Sequence, residues 1–351
     1  MGLIALAVAL LVEQVRPLRP DNRLHRLARE CVDLARQHSS TERPFDAVLG
    51  WIAVVAASIA LVVVLQWVAA AIGSLASFLL HVGILYLTIG FRQLGHNLRE
   101  VLAALGRDDP ARARHVLEDW IAAGEGAMPV HGATVDAGAG GHPGRAHGPF
   151  PEVARVRLCR AAITHALVCA HREFFGPVLA YLLLPGAIGP VAYRMVDLLA
   201  RRWTRPLATE TVAADTWADG SGNGHARGAA RGMEIVDWIP LRVTAAGFAI
   251  AGDFEDSTYC WRSAIAAGAG HDQRAMLVAV GSGSLGLDLV DPDRDRHWAG
   301  PRAEGLPPAF DWRGAPPDAG GIRSTIGLVW RAATLVIGLF VLVALSGWLG
   351  R

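Results

Sequence analysis

The chain has 351 residues and 37.3 kDa, is 52% apolar with a mean hydropathy of +0.31, and sets 33 basic against 32 acidic residues. Every basic residue is arginine, which excludes a Schiff-base lysine and the lysine of a Walker-type phosphate loop. The near-zero net charge excludes the basic excess that a nucleic-acid binder presents, and the four cysteines lack the paired spacing of a disulfide framework or a zinc site.

The apolar residues lie in long runs, so the expected fold class is all-α: a polytopic helical membrane protein with re-entrant or kinked helices and cytoplasmic amphipathic helices. Residues 1–46 read as a short apolar segment, a tilted or partial span over 1–15, followed by an arginine-rich cytoplasmic loop. The segment lacks the basic start and small-residue cleavage site of a secretory signal, so it is expected to stay attached. Ala47 to Phe91 then runs 45 residues without a charge. That is about twice what one helix needs to cross ~30 Å of hydrocarbon, so 47–91 reads as a transmembrane hairpin broken around Ile72-Gly73-Ser74. Trp51, Trp67 and Tyr86 fall near its ends, where aromatic rings favour the interface.

Arginine sets the orientation. Residues 16–43 hold seven and 92–172 hold ten, so both stretches are placed in the cytoplasm. Within 92–173, Leu98, Val101, Leu102 and Leu105 recur at helical spacing, and Asp108-Asp109-Pro110 opens a second helix with Pro near its first position. The linker 124–151 is rich in Gly and Ala and carries His131, His142 and His147 at spacings that fit no metal-ligand motif. No metal site is expected.

The region 174–290 holds broken apolar segments. Phe174 to Tyr193 is uncharged but carries Gly176-Pro177, Pro185-Gly186 and Gly189-Pro190. A hairpin breaking near Pro185 returns the following arginines to the cytoplasm, and such a break at membrane depth needs cover from protein or a cavity. Ile235 to Gly252 is a second such segment. Gly281-Ser282-Gly283-Ser284, inside Ala275 to Val290, reads as a close-packed helix break rather than a phosphate-cradling turn. A Pro/Asp/Arg-rich loop, 291–321, precedes a C-terminal transmembrane helix within 322–351. Arg331 lies one turn or so inside that span, near enough to its end to snorkel.

A polar set flanks the broken segments. His165, His171, Arg172 and Glu173 precede the first, Arg194 and Asp197 follow it, and Asp237 and Arg242 open the second. Ionisable groups near membrane depth are expensive and face a partner or a cavity. Two readings stand: internal ion pairs at helix ends, or a cytoplasm-facing pocket for an anionic ligand lined by His171, Arg172, Glu173, Arg194, Asp197, Asp237 and Arg242. No Ser/His/Asp, Cys/His or Gly-x-Ser-x-Gly constellation supports hydrolysis, and no catalytic residue is assigned.

The order of features resembles the CobD/CbiB family of cobalamin biosynthesis. The likeness rests on Gly90-Phe91-Arg92-Gln93-Leu94 leading into Glu100-Val101, Asp109 with Ala113-Arg114, Tyr193-Arg194-x-Val196 and Pro240-Leu241-Arg242. The resemblance implies a synthase joining an aminopropanol moiety to a corrinoid carboxylate with Mg²⁺ and ATP. The family's acidic and amide motifs are largely replaced, however: Arg16-Pro17-Leu18 stands for its first Asp-Pro, and Val196-Asp197-Leu198-Leu199-Ala200 for its Val-Asn-Thr-x-Asp. Asp237-Trp238-Ile239-Pro240-Leu241-Arg242-Val243 is similar to the corresponding run of the sister AmpE family, as are Arg172-x-Phe174-x-x-Pro177 and Gly189-Pro190. AmpE resemblance implies a non-enzymatic regulatory or sensing protein of the bacterial inner membrane. Its expected partners are the lipid bilayer and either a small anionic or corrinoid-type ligand or another membrane protein, with no nucleic acid and no cofactor of its own.

Overall fold

The computed structural model describes residues 2–15, 23–38, 44–123, 152–203, 224–291, 295 and 310–349. The linker 124–151, with its three histidines, lies outside them. Among the described residues the protein is helical throughout, the sole β contact being a parallel bridge between Leu287 and Ala315. Four helical stretches are long and apolar enough to cross a membrane: Leu49–Ile72, Ser74–Gly106, Glu152–Leu183 and Ala319–Val343. Contacts divide the chain into two units: Met1–Arg92, Ala123–Met128 and Arg172–Pro240 form the first, and Gln93–Ala122, Pro129–His171 and Leu241–Arg351 the second.

In the first unit, α1 (Gly2–Val15), α2 (Arg23–His38), α3 (Pro44–Ile72) and α4 (Ser74–Thr88) are followed by the start of α5 (Phe91–Gly106). Gly73 separates α3 from α4 with φ of +143°, in the region that favours glycine. Val62 and Ile84, equidistant in sequence from Gly73, meet in one cluster with Ala187, so the two helices run antiparallel. The arginine-rich stretch is not simply a loop. Its middle forms α2, whose Val32 is fully buried against Leu199, Trp203 and Ala229. Trp51, partly buried, packs against the clusters around Trp203 and Tyr193, whereas Trp67 is 80% exposed.

The broken hairpin consists of α8 (Gly176–Leu183) and α9 (Ile188–Trp203), with Leu184 to Ala187 between them. These helices approach closely at Gly189, where a Cβ would overlap the backbone carbonyl of Ala180. Helix α10 (Gly224–Ala251) carries Pro240 in its interior, and the boundary between the units falls at that residue. Glu152–Leu183 forms one helical run, α7 (Glu152–Ala170), then a π turn (His171–Phe175), then α8. The candidate crossing therefore begins well before Phe174, where the charge pattern predicts cytoplasmic helix.

In the second unit α6 (Pro110–Ala123) opens as the sequence predicts, with the Asp109 carboxylate accepting from Arg112 N at 3.0 Å. Helices α7, α11 (Phe254–Ala266), α12 (Gln273–Leu285) and α13 (Ala319–Leu349) pack together. Asp253 and Asp272 cap α11 and α12. The Gly-Ser-Gly-Ser segment is close-packed, as expected, but it does not break the helix. Every residue of Ala275–Ser284 is buried within α12, and a Cβ at Gly283 would crowd the backbone of Asp256. The glycines serve helix contact rather than a turn. Asp318, at the end of the predicted loop, accepts from Gly321 N at 2.7 Å and starts α13.

Candidate functional site

The candidate site in the first unit is built where helices end. Pro177 has no N–H to give to the carbonyl four residues back, that of Glu173. That carbonyl instead accepts from Gly90 N at 3.1 Å, a donor just past the C-terminus of α4. The π turn holding Arg172 and Glu173 is the local consequence of such a missing bond, and π turns concentrate at functional positions. Gly90 is flanked by both charges: a Cβ there would lie 3.5 Å from a Glu173 carboxylate oxygen and 3.7 Å from an Arg194 guanidinium nitrogen.

The two helix ends at this junction are electrostatically matched. Arg194 donates Nε–H to the Thr88 carbonyl at 2.7 Å, placing a cation at the C-terminus of α4. Glu13, 4% exposed, accepts from Arg92 N at 3.0 Å, placing an anion at the N-terminus of α5. Arg92 also donates to the Gln14 carbonyl. The junction thus joins α1, α4, α9 and the start of α5 through charge and backbone, beside the apolar packing of α4 on α9.

Asp197, 3% exposed, is the centre of the cluster. Arg201, one turn along α9, holds it with two contacts, Nε at 2.9 Å and a terminal nitrogen at 2.7 Å. Arg172 and Arg194 stand at 3.8 and 3.9 Å from its oxygens, beyond hydrogen-bond length. Burial by itself would raise the Asp197 carboxyl, but Arg201, Arg172 and Arg194 outweigh it and hold the group below the usual carboxylate range. Three guanidiniums therefore surround Asp197, with Glu173 and Glu13 close by and Asp237 joined to the same cluster through Tyr193.

Asp237 is engaged differently. Tyr193, fully buried, donates its hydroxyl to Asp237 Oδ1 at 2.9 Å. Its ring crosses Gly176, where a Cβ would overlap it. The predicted site residues thus separate. Arg172, Glu173, Arg194 and Asp197 come together, and Asp237 is joined through Tyr193 within the same unit. His171 and Arg242 fall in the second unit. His171, fully buried, pairs through Nδ1 with the buried Thr244 hydroxyl at 2.8 Å, and Arg242 is half-buried on α10. His165 belongs to that unit as well, edge-on to Trp120 at 4.5 Å and 3.3 Å from the Cys169 sulfur. Arg201 is the residue that sequence reasoning omitted. Its spacing of four from Asp197 on a helix was the available signal.

The residues do not fit a divalent cation. Asp197 is committed to arginine and Asp237 to a tyrosine hydroxyl, and among the described residues no group of three His, Cys, Asp or Glu side chains converges as metal ligands would.

Two curated proteins are similar to the chain. It is 25% identical over 274 residues to the cobalamin biosynthesis protein CobD of Stutzerimonas stutzeri, covering 78% of this chain and 74% of that protein. It is 26% identical over 274 residues to the CobD of Chromobacterium violaceum, covering 78% and 71%. No family model matches, and no solved structure matches. The likeness to two CobD proteins across most of their length, joined to four helices able to span a membrane, supports a CobD-like membrane protein.

Proposed function

We propose that the protein is a regulatory or sensing component of a bacterial inner membrane, of AmpE type, which binds a small anionic ligand at the arginine cluster around Asp197. The observation that carries this reading is the convergence of Arg172, Arg194 and Arg201 on one buried carboxylate, Asp197. The Asp-Trp-x-Pro-x-Arg run from Asp237 to Arg242 supports the AmpE branch by resemblance. A corrinoid carboxylate or phosphate is the ligand class that joins this site to the two relatives' printed role.

The relatives' names favour a second reading, a divergent cobinamide-phosphate synthase. Deletion of the gene under conditions that demand corrinoid synthesis separates the two. Unimpaired cobalamin production with an altered regulatory phenotype is expected. Growth that becomes dependent on supplied cobinamide would establish the synthase and end the regulatory reading. Complementation with Arg194→Gln then tests the site: the regulatory phenotype should not be restored, while the membrane level of the protein is kept.

A further inference from the structure

We propose that an open groove in the second unit, between the end of α10 and one face of α13, seats a single transmembrane helix of a partner protein, one that carries a carboxylate at mid-membrane depth to pair with Arg331. The groove is about 710 Å³ and is lined by Ile250, Arg331, Leu335, Gly338, Leu339 and Leu342, among others. Its walls are mostly apolar apart from the guanidinium. Thr334 also lines it, but the hydroxyl is already bonded to the Trp330 carbonyl at 2.9 Å. The groove lies wholly in the second unit and does not rest on the reading of the Asp197 cluster.

Depth is what makes Arg331 informative. The sequence puts it near the start of an apolar run, close enough to the end to snorkel. Asp318 instead starts the helix earlier, and the candidate span Ala319–Val343 has residues 319–330 before Arg331 and 332–343 after it, twelve on either side. At 1.5 Å per residue, about 18 Å of helix separates it from each end, more than a three-methylene stem can bridge. Its guanidinium therefore belongs to the hydrocarbon, where a charge is costly and faces a partner or a cavity.

Within the chain that partner is missing. Arg331 is exposed, and its Nε donates to the Gly327 carbonyl at 3.3 Å, a long bond within its own helix. Among the described residues no carboxylate lies within ion-pair distance of it. Charge complementarity then selects the occupant. A second copy related by a two-fold axis along the membrane normal would bring Arg331 against Arg331 at the same depth, leaving both without counter-charge. A foreign helix with one Asp or Glu at its centre answers the charge, in a geometry that a guanidinium binds through two donors. Residues 331, 335, 338 and 342 recur at three- and four-residue spacing, a stripe of about 16 Å for such a helix to follow. Gly338 lets it come close, because nothing lies within 4 Å of a Cβ added there.

The same open space makes Gly338 a test site that leaves the fold undisturbed. The full-length protein, one copy per lipid nanodisc, is offered a synthetic Leu/Ala helix of about 20 residues with a single central Asp, and retained peptide is counted by native mass spectrometry. The wild type should hold one such peptide several-fold more than the same helix with Leu at that position, or with the Asp moved two turns toward its end. Arg331→Leu should erase the preference, and Gly338→Leu should lower retention with thermal stability unchanged. Equal retention of the three peptides by the wild type overturns the proposal, as does a preference that survives Arg331→Leu. Full retention by Gly338→Leu overturns it too, by removing the groove as the seat. So does a dimer that Gly338→Leu converts to monomer, which would assign the groove to a second copy.

Discussion

Asp197 shows how much one side chain organises here. Its carboxylate is nearly inaccessible and faces three guanidiniums, so removing it takes away the counter-charge on which they converge. Breaking such a set by deleting one partner costs about 3 kcal/mol or more. Asp197→Ala should therefore lower the apparent melting temperature in detergent by several degrees, whereas Glu100→Ala, half-exposed beside His96, should change little. The pH dependence has a definite sign. Because the arginines depress the native carboxyl, its stabilisation is full above the unfolded value of about 3.9 and is lost as pH falls through the lower native one. The melting-temperature gap between wild type and Asp197→Asn should thus close below about pH 4. A gap that stays constant or widens there would show that Asp197 is not the anionic centre of the cluster. Much of this set was legible from the sequence, since charges beside broken apolar runs need partners. Arg201 was not singled out because it sits among several arginines after the hairpin. Nor did sequence order reveal that His171 and Arg172, adjacent in the chain, belong to different units.

Elements were legible where one signal dominated. An uncharged run of 45 residues is too long for one crossing, and Gly73 marks its break because only glycine holds that φ without strain. Where two signals competed, the weaker was hidden. In α2 the density of arginine masked an apolar contact as short as Val32, yet that residue is fully buried against α9. In α12 the glycines that read as a break are the positions where a neighbouring helix needs room. The hairpin α8/α9 combines both lessons. Proline and glycine mark its turn, but the helices stay together because Gly189 lets the Ala180 carbonyl approach. A methyl group there meets backbone, which cannot rotate away, so Gly189→Ala should destabilise by about 2 kcal/mol or more. Gly83→Ala is the matched control. It lies inside α4 with nothing within 4 Å of an added Cβ, and helix propensity favours alanine by about 0.8 kcal/mol. Parallel thermal unfolding in detergent should lower the first variant and leave the second level with or above wild type; equal effects would remove the close approach as the cause.

At the scale of the whole molecule the arginines make a claim about sidedness, and the cysteines provide a means to check it. The stretch around α2 should face the cytoplasm, because dense arginine resists translocation. Cys31 lies on that helix and is exposed, whereas Cys159, Cys169 and Cys260 are buried. Burial, with Asp256 beside it, also pushes the Cys260 thiol up to about 12, leaving almost no thiolate at neutral pH. Cys31 is therefore the one cysteine expected to react quickly with a maleimide that cannot cross membranes, and no residue need be introduced. Inside-out vesicles should label at one site per chain, right-side-out vesicles should not, and Cys31→Ser should abolish the inside-out signal. Labelling of right-side-out vesicles at Cys31 would invert the topology of the hairpin 47–91 that follows. It would also move the arginine cluster to the other side of the membrane, with the consequence that any anionic ligand there would come from outside the cell. The sidedness of one thiol therefore decides which compartment's metabolites the site can read.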